Sequence, residues 1–259
     1  MQGRDLTYFI SDVHLGAGYV SDPRGHERRV VRWLRSIAPR CRRLYLLGDI
    51  LDYWWEYHDV VPRGFTRFLG QLAEMADSGV EITWFKGNHD VWINDYLPSE
   101  IGMRVHDGVL VEELDGKLFL MEHGDGVGRL PRAFRGLRWL FRCRTAQRLY
   151  AAIHPRWTVG FAHAWSSHSR KSGGYVPPMR VADNLREYAL RYNDKCGDGA
   201  KIDFFIFGHL HLLVDEKLSD GARLVVLGDW ISRFSYAVWD GKELRAEVWN
   251  EEKKSDLCD

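Results

Sequence analysis

A chain of 259 residues can bury one large core, and 45% hydrophobic residues fit an ordinary folded protein rather than a disordered or fibrous one. Basic and acidic residues number 36 each, so no overall charge draws the chain to an anionic partner, yet from Gly126 to Ala182 there are eleven basic residues and no acidic one. Those eleven leave 25 basic against 36 acidic residues elsewhere, a basic element set on an acidic body.

Cys41, Cys143, Cys196 and Cys258 are scattered without a Cys-x-x-Cys pair, which argues against a thiolate zinc site and a disulfide framework. The opening Met1-Gln2-Gly3-Arg4-Asp5 lacks the apolar region of a signal peptide, and no apolar run reaches the ~20 residues of a membrane span. A cytoplasmic location is expected.

Leu6 to Ile10 reads as a short buried strand ending at Ser11-Asp12. Val30, Val31, Leu34 and Ile37 fall at helical spacing within 27–37. Leu44 to Leu47 is a second strand ending at Gly48-Asp49, and Phe65, Phe68, Leu69, Leu72 and Met75 mark a second helix. Val80 to Lys86 is a third strand, ending in Gly87-Asn88-His89-Asp90. This β-α-β-α-β order predicts an α/β sheet with its site beyond the strand ends. Residues 109–121 read as a hairpin around Asp115-Gly116, with His123 just past its second arm. Further strands follow at 202–207, 223–227 and 236–239, so the predicted fold is α/β with two packed sheets flanked by helices, a four-layer sandwich. The core is expected over 1–126 and 181–251, with a helix at 181–192 and a polar tail at 252–259.

The stretch 127–180 breaks the alternation and is expected to be a mainly helical cap insertion. Leu130, Phe134, Leu137 and Phe141 share one helical face, while Arg132, Arg135, Arg138 and Arg142 lie mostly opposite, and Pro131 and Gly136 weaken the helix. A basic amphipathic helix of this kind suits a membrane surface, or a solvated helix docked by its apolar face.

Five strand ends carry matching groups: Asp12-Val13-His14, Gly48-Asp49, Asn88-His89-Asp90, His123-Gly124-Asp125 and His209-Leu210-His211. Two divalent cations about 3.5–4 Å apart can activate water and clamp a phosphoryl displacement. They need a bridging carboxylate, for which Asp49 is the natural choice, together with imidazoles and neutral oxygens. Asp12 and His14 are spaced so that an extended chain points both to one side, and His209 and His211 repeat that spacing. Seven ligands, Asp12, His14, Asp49, Asn88, His123, His209 and His211, suit manganese, iron or zinc better than calcium.

These motifs resemble, in order, those of the calcineurin-like metallophosphoesterases over about residues 8–211. The resemblance implies a four-layer αββα fold and a dinuclear centre. Asp12, His14, Asp49 and His211 would hold one ion, and Asp49, Asn88, His123 and His209 the other. His89 would face the scissile phosphate as the catalytic group, with Asp52 and Asp90 orienting the ligands.

Within that superfamily Ile10-Ser11-Asp12-Val13-His14-Leu15-Gly16, Gly48-Asp49-Ile50-Leu51-Asp52-Tyr53-Trp54, Leu227-Gly228-Asp229-Trp230-Ile231 and the basic insertion are similar to the UDP-2,3-diacylglucosamine hydrolases of lipid A biosynthesis. That likeness implies a manganese-dependent enzyme, peripheral on the cytoplasmic face of the inner membrane. It would split the pyrophosphate of a UDP-linked diacyl amino sugar into UMP and 2,3-diacylglucosamine 1-phosphate, with the insertion receiving the acyl chains. Well-known members carry arginine at the position of His89 and threonine at that of Leu210. Asn88, His89, Ser167, Ser169, Arg170 and Lys171 are the candidate substrate contacts. A phosphodiesterase or phosphatase acting on a soluble nucleotide or phosphoester remains the alternative. No nucleic-acid partner is expected, although the insertion's aromatics could stack bases. Asp229 is expected to serve a turn, and His26, His58, His106, His154 and His163 are expected to be structural.

Overall fold

The computed structural model describes residues 3–57, 59–154, 178–197 and 199–250. The predicted contacts Ser167, Ser169, Arg170 and Lys171, and the tail, lie outside them.

Strands β1 (Leu6–Ile10), β2 (Cys41–Leu46), β3 (Glu81–Phe85) and β4 (Arg104–His106) are parallel neighbours. Two antiparallel strands, β10 (Ser235–Trp239) and β11 (Leu244–Val248), extend the sheet beyond β1, giving the order β11-β10-β1-β2-β3-β4. The second sheet runs β5-β6-β7-β9-β8, from β5 (Leu110–Leu114), β6 (Lys117–Glu122), β7 (Phe204–Phe207), β8 (Leu213–Lys217) and β9 (Arg223–Leu227). Asp115 and Gly116 both have positive φ at the β5–β6 turn, as a two-residue hairpin of the primed kind requires.

The continuous apolar runs of the central strands follow from burial on both faces. Phe9, Tyr45, Leu47 and Phe85 meet Phe119, Met121, Ile206, Val225 and Leu227 between the sheets. Their neighbours Tyr8, Ile10, Leu44, Leu46, Ile82 and Trp84 face the other way, onto α1 (Pro23–Ile37), α2 (Thr66–Asp77) and α3 (Tyr96–Ile101). Leu120, Phe205, Phe207, Leu224 and Val226 pack with Leu185 and Ala189 of α6 (Pro178–Lys195) on the outer face of the second sheet. The expected four layers are therefore present, with only α6 as described helical cover on that side.

The helix expected from Leu130 to Arg142 forms as α4 (Arg132–Arg142), and a second helix, α5 (Arg144–Ala151), follows it after the extended Cys143. Neither contains a buried residue. Their attachment is aromatic and polar: Trp92 Nε1 donates to the Phe141 carbonyl at 3.0 Å, and Tyr150 sits against Trp55 with ring centroids 4.3 Å apart. α3, α5, β4, β8 and β11 had no counterpart in the sequence reading; the strands among them are short or lie at sheet edges, where burial leaves little periodic signal.

Candidate metal centre

The five strand-end loops converge. Asp12, His14 and His211 can offer ligand atoms within 4.8 Å of one another; so can Asp49, His123 and His209, and so can His14, Asp49 and His89. Asp49 Oδ2 lies 3.8 Å from His14 Nε2 and 3.3 Å from His123 Nε2, between the first two groups. Asn88 joins the second group, its Oδ1 3.2 Å from His123 Nε2.

One geometric expectation is corrected. Asp12, His14, His209 and His211 do not alternate along extended chain: their φ values are 53°, 49°, 67° and 53°, and that of Asp49 is 52°. Left-handed backbone at non-glycine residues costs about 1–3 kcal/mol at each position and persists only where surroundings enforce it. Here the loops are locked by Asp12 N–H donating to the Gly48 carbonyl, His14 N–H to the Asp49 carbonyl, and Trp230 N–H to the Asp12 carbonyl. Glycine is needed where these loops touch. A Cβ on Gly87 would lie 2.2 Å from Asp49 Oδ1, and one on Gly208 2.7 Å from Asp12 Oδ2.

The neighbouring hydrogen bonds aim the rings. His14 Nδ1 donates to Asp52 Oδ1 at 3.1 Å and His123 Nδ1 to the Leu47 carbonyl at 2.8 Å, so each directs Nε2 into the cluster. His89 Nδ1 donates to the Asp52 carbonyl at 3.0 Å, leaving its Nε2 as the free nitrogen. Asp90 accepts from the N–H groups of Gly87, Asp49 and Ile50 and from Trp84 Nε1, holding the Asp49 and Asn88 loops in one register.

The donors fit divalent cations. Asp12 Oδ1 is fully buried without a hydrogen-bond donor, 3.4 Å from His211 Nε2. His14 Nε2 and His211 Nε2 approach to 3.2 Å, close enough for both to serve one cation. Burial lowers His209 and His211 to about 4, so both are neutral imidazoles with a lone pair to give at pH 7. Burial pushes the Asp12 carboxyl up. It pushes Asp49 up as well, but His123, His89 and His14 outweigh it and hold Asp49 well below its ordinary range. Burial would lower His123, and Asp49 overcomes this and raises it well above. The cluster demands positive charge beside Asp49.

A cavity of about 640 Å³ adjoins the cluster. Asp52, Asn88, His89 and Asp125 line it together with Tyr53, Trp55 and Trp92 of the core and Phe134, Leu137, Leu140, Phe141 and Tyr150 of α4 and α5. Arg138 and Arg142, read as lying mostly opposite the apolar face, instead turn inward and line the cavity, because buried Asp125 draws them at 2.9 and 3.5 Å. Asp125 and Glu122 were given no role from sequence; His123-Gly124-Asp125 was visible, but the distant arginines that answer it were not. His26 is buried and bonds the Val13 carbonyl between Asp12 and His14, while Asp229 takes the expected turn role, accepting from the Ile231 and Ser232 N–H groups.

Fold and site together define a metallophosphoesterase. The chain belongs to the calcineurin-like phosphoesterase family, whose model matches residues 6–213, and it is a hydrolase. It is 48% identical over 255 residues to the UDP-2,3-diacylglucosamine hydrolase of Porphyromonas gingivalis, covering 94% of this chain and 97% of that one. It is 30% identical over 254 residues to the UDP-2,3-diacylglucosamine hydrolase of Aeromonas salmonicida, covering 93% and 92%.

Proposed function

We propose that the chain hydrolyses the pyrophosphate of a UDP-linked 2,3-diacylglucosamine, giving UMP and 2,3-diacylglucosamine 1-phosphate. The observation that carries this reading is the single cavity shared by Asn88 and His89 and by the apolar side chains of the two cap helices. A soluble phosphoester would have no use for Phe134, Leu137, Leu140 and Phe141 beside the reacting phosphate, whereas acyl chains would cover them. The relative at 48% identity is named a hydrolase of UDP-2,3-diacylglucosamine, the same substrate.

Asp12, His14 and His211 would hold one cation, Asn88, His123 and His209 the other, with Asp49 between them. The nitrogen and oxygen donor set, without thiolate, is compatible with manganese, which we assign. Such a pair supplies Lewis acidity, neutralising phosphate oxygens and making a water nucleophilic at neutral pH. The chain's own residues then position the substrate. His89, with Nδ1 committed to the Asp52 carbonyl, offers Nε2 to the scissile phosphate or the leaving oxygen, and it acts there as a donor only when the ring carries its second proton. Asp52 serves His14 and His89 together, its Oδ1 lying 3.1 and 3.6 Å from their Nδ1 atoms.

Residues 127–180 would form the cap, and Ser167, Ser169, Arg170 and Lys171 would meet the phosphosugar. Trp139 and Leu149 are 68% and 69% exposed beside arginines of α4 and α5, which supports a peripheral seat on an anionic membrane face, the cytoplasmic side of the inner membrane. No helix among the described residues is long and apolar enough to cross a membrane. The test is turnover of purified, manganese-loaded protein on UDP-2,3-diacylglucosamine against a simple aryl phosphate. Strong preference for the lipid is expected; equal turnover of both would overturn the substrate assignment.

A further inference from the structure

The cap touches the candidate metal centre through charge as well as through the cavity wall. Arg138 and Arg142 lie one turn apart on α4 and converge on one oxygen, Asp125 Oδ2, at 2.9 Å from Arg138 Nε and 3.5 Å from Arg142 Nη1. Arg138 Nη2 also lies 3.6 Å from Glu122 Oε1, and Arg142 Nε lies 3.1 Å from Asp107 Oδ1. Glu122 and Asp125, 2% and 1% exposed, flank His123 in sequence. The fit is close: a Cβ on Gly126 would meet Arg138 Nη2 at 2.3 Å and Glu122 Oε1 at 2.6 Å. Arg132 and Arg135 of the same helix are exposed.

Buried carboxylates need counter-charge. Among the described residues, the arginines that supply it to Glu122 and Asp125 come from α4, not from the sheets. Without them, two buried negative charges would stand beside His123 and pull on the ring that Asp49 already holds at 3.3 Å. The loop that carries His123 is thus electrostatically complete only while α4 is seated. The converse follows, since α4 buries no residue of its own and the triad is one of its few fixed attachments.

We propose that Arg138 and Arg142 are positioning residues that couple the seating of α4 to cation binding on the His123 side, so that cap closure and metal loading favour each other. Linkage makes such coupling reciprocal: whatever tightens one tightens the other by the same factor. The proposal rests on the two-cation reading of the site.

The test uses the full chain stripped of metal and titrated calorimetrically with Mn2+, with hydrogen exchange of residues 132–142 followed with and without the ion. In Arg138→Gln/Arg142→Gln one of the two Mn2+ binding steps weakens by roughly 10–100-fold, the usual scale for groups that orient ligands, while the other stays within about twofold. Mn2+ slows exchange across α4 in the unaltered chain and in the control Arg135→Gln, but not in the double variant; Arg138→Lys/Arg142→Lys, which keeps the charge, restores part of the effect. Unchanged affinity at both steps, or exchange in α4 indifferent to Mn2+ in the unaltered chain, would overturn the coupling. So would lost protection in β1–β3 of the double variant, since the arginines would then serve general stability. Uptake of fewer than two ions by the unaltered chain would instead remove the two-cation reading itself, and the coupling with it.

Discussion

The loops that end β2 and β3 line the same cavity as the helices of the insertion, yet these loops, with the β1 loop that packs beside them, and the helices are held by different physics. Around Asp12, His14 and Asp49 the backbone is left-handed, buried and pinned by hydrogen bonds from loop to loop, with Trp33, Trp54, Trp84 and Trp230 fully buried in the adjoining core. α4 and α5 bury nothing and rest on ring contacts, two arginines and one indole N–H. Reacting groups need placement to within fractions of an ångström, whereas alkyl chains need only an apolar surface able to yield. The molecule is rigid around the candidate metal centre and looser along the apolar wall of the insertion, as the proposed reaction on a diacyl substrate requires.

Changes on the rigid side should therefore be the most damaging. Asp49→Asn keeps the volume of the side chain but removes the charge shared by the two groups. Expected are loss of bound metal, read by elemental analysis of the purified protein, and activity at background. Full metal content in that variant would break the comparison at its base. Next comes His89→Ala. Both metals should remain, while kcat falls roughly 10²–10⁴-fold, the range for a lost general acid. Metal loss there would instead put His89 among the ligands, as its approach to His14 and Asp49 permits.

Legibility in the sequence divides along the same line. The sheet was readable because parallel strands buried on both faces leave unbroken apolar runs, and because each loop of candidate ligands begins just after such a run. The left-handed turns were not, since aspartate and histidine, though commoner there than most residues, still adopt positive φ only in a small minority of cases; only Gly48 and Gly208, directly before Asp49 and His209, hint at it. Asp90 illustrates the limit: it is visible in Gly87-Asn88-His89-Asp90, but its role, accepting backbone N–H groups of the Asp49 loop some forty residues away, depends on β2 and β3 lying side by side. On the cap, the apolar face of Phe134, Leu137 and Phe141 was legible from helical spacing. The inward turn of Arg138 and Arg142 was not, because an arginine opposite an apolar stripe reads as solvated until a buried carboxylate such as Asp125 is known to face it.

Changes on the adaptable side should be milder and confined to substrate handling. Phe134→Ala removes an aromatic wall from the cavity while leaving the sheets untouched. Loss of about 1.5–3 kcal/mol of apolar contact corresponds to roughly a ten- to hundredfold rise in KM for the diacyl substrate. Little change in kcat is expected, and an equal fall in kcat would show that the cap wall also sets the geometry of the reacting groups.

The smallest effect is the most diagnostic of how independent the cap is. Gly136 sits in the middle of α4, exposed, with open space where a Cβ would go and no positive φ to accommodate. A glycine there costs the helix about 0.5–1 kcal/mol relative to alanine, chiefly through the freedom it gives the unfolded segment. Gly136→Ala should therefore stabilise α4 by that amount. If the cap opens on its own, hydrogen exchange across 132–142 slows about two- to fivefold, while exchange in β1–β3 and the melting temperature of the whole protein do not move. Because α4 has no fully buried residue, the gain can reach the sheets only through its few fixed contacts, the ion pairs of Arg138 and Arg142 and the contact of Phe141 with Trp92. A melting temperature that rises with the substitution would mean that cap and core unfold as one unit, and the contrast between a rigid floor and a yielding wall would have to be given up.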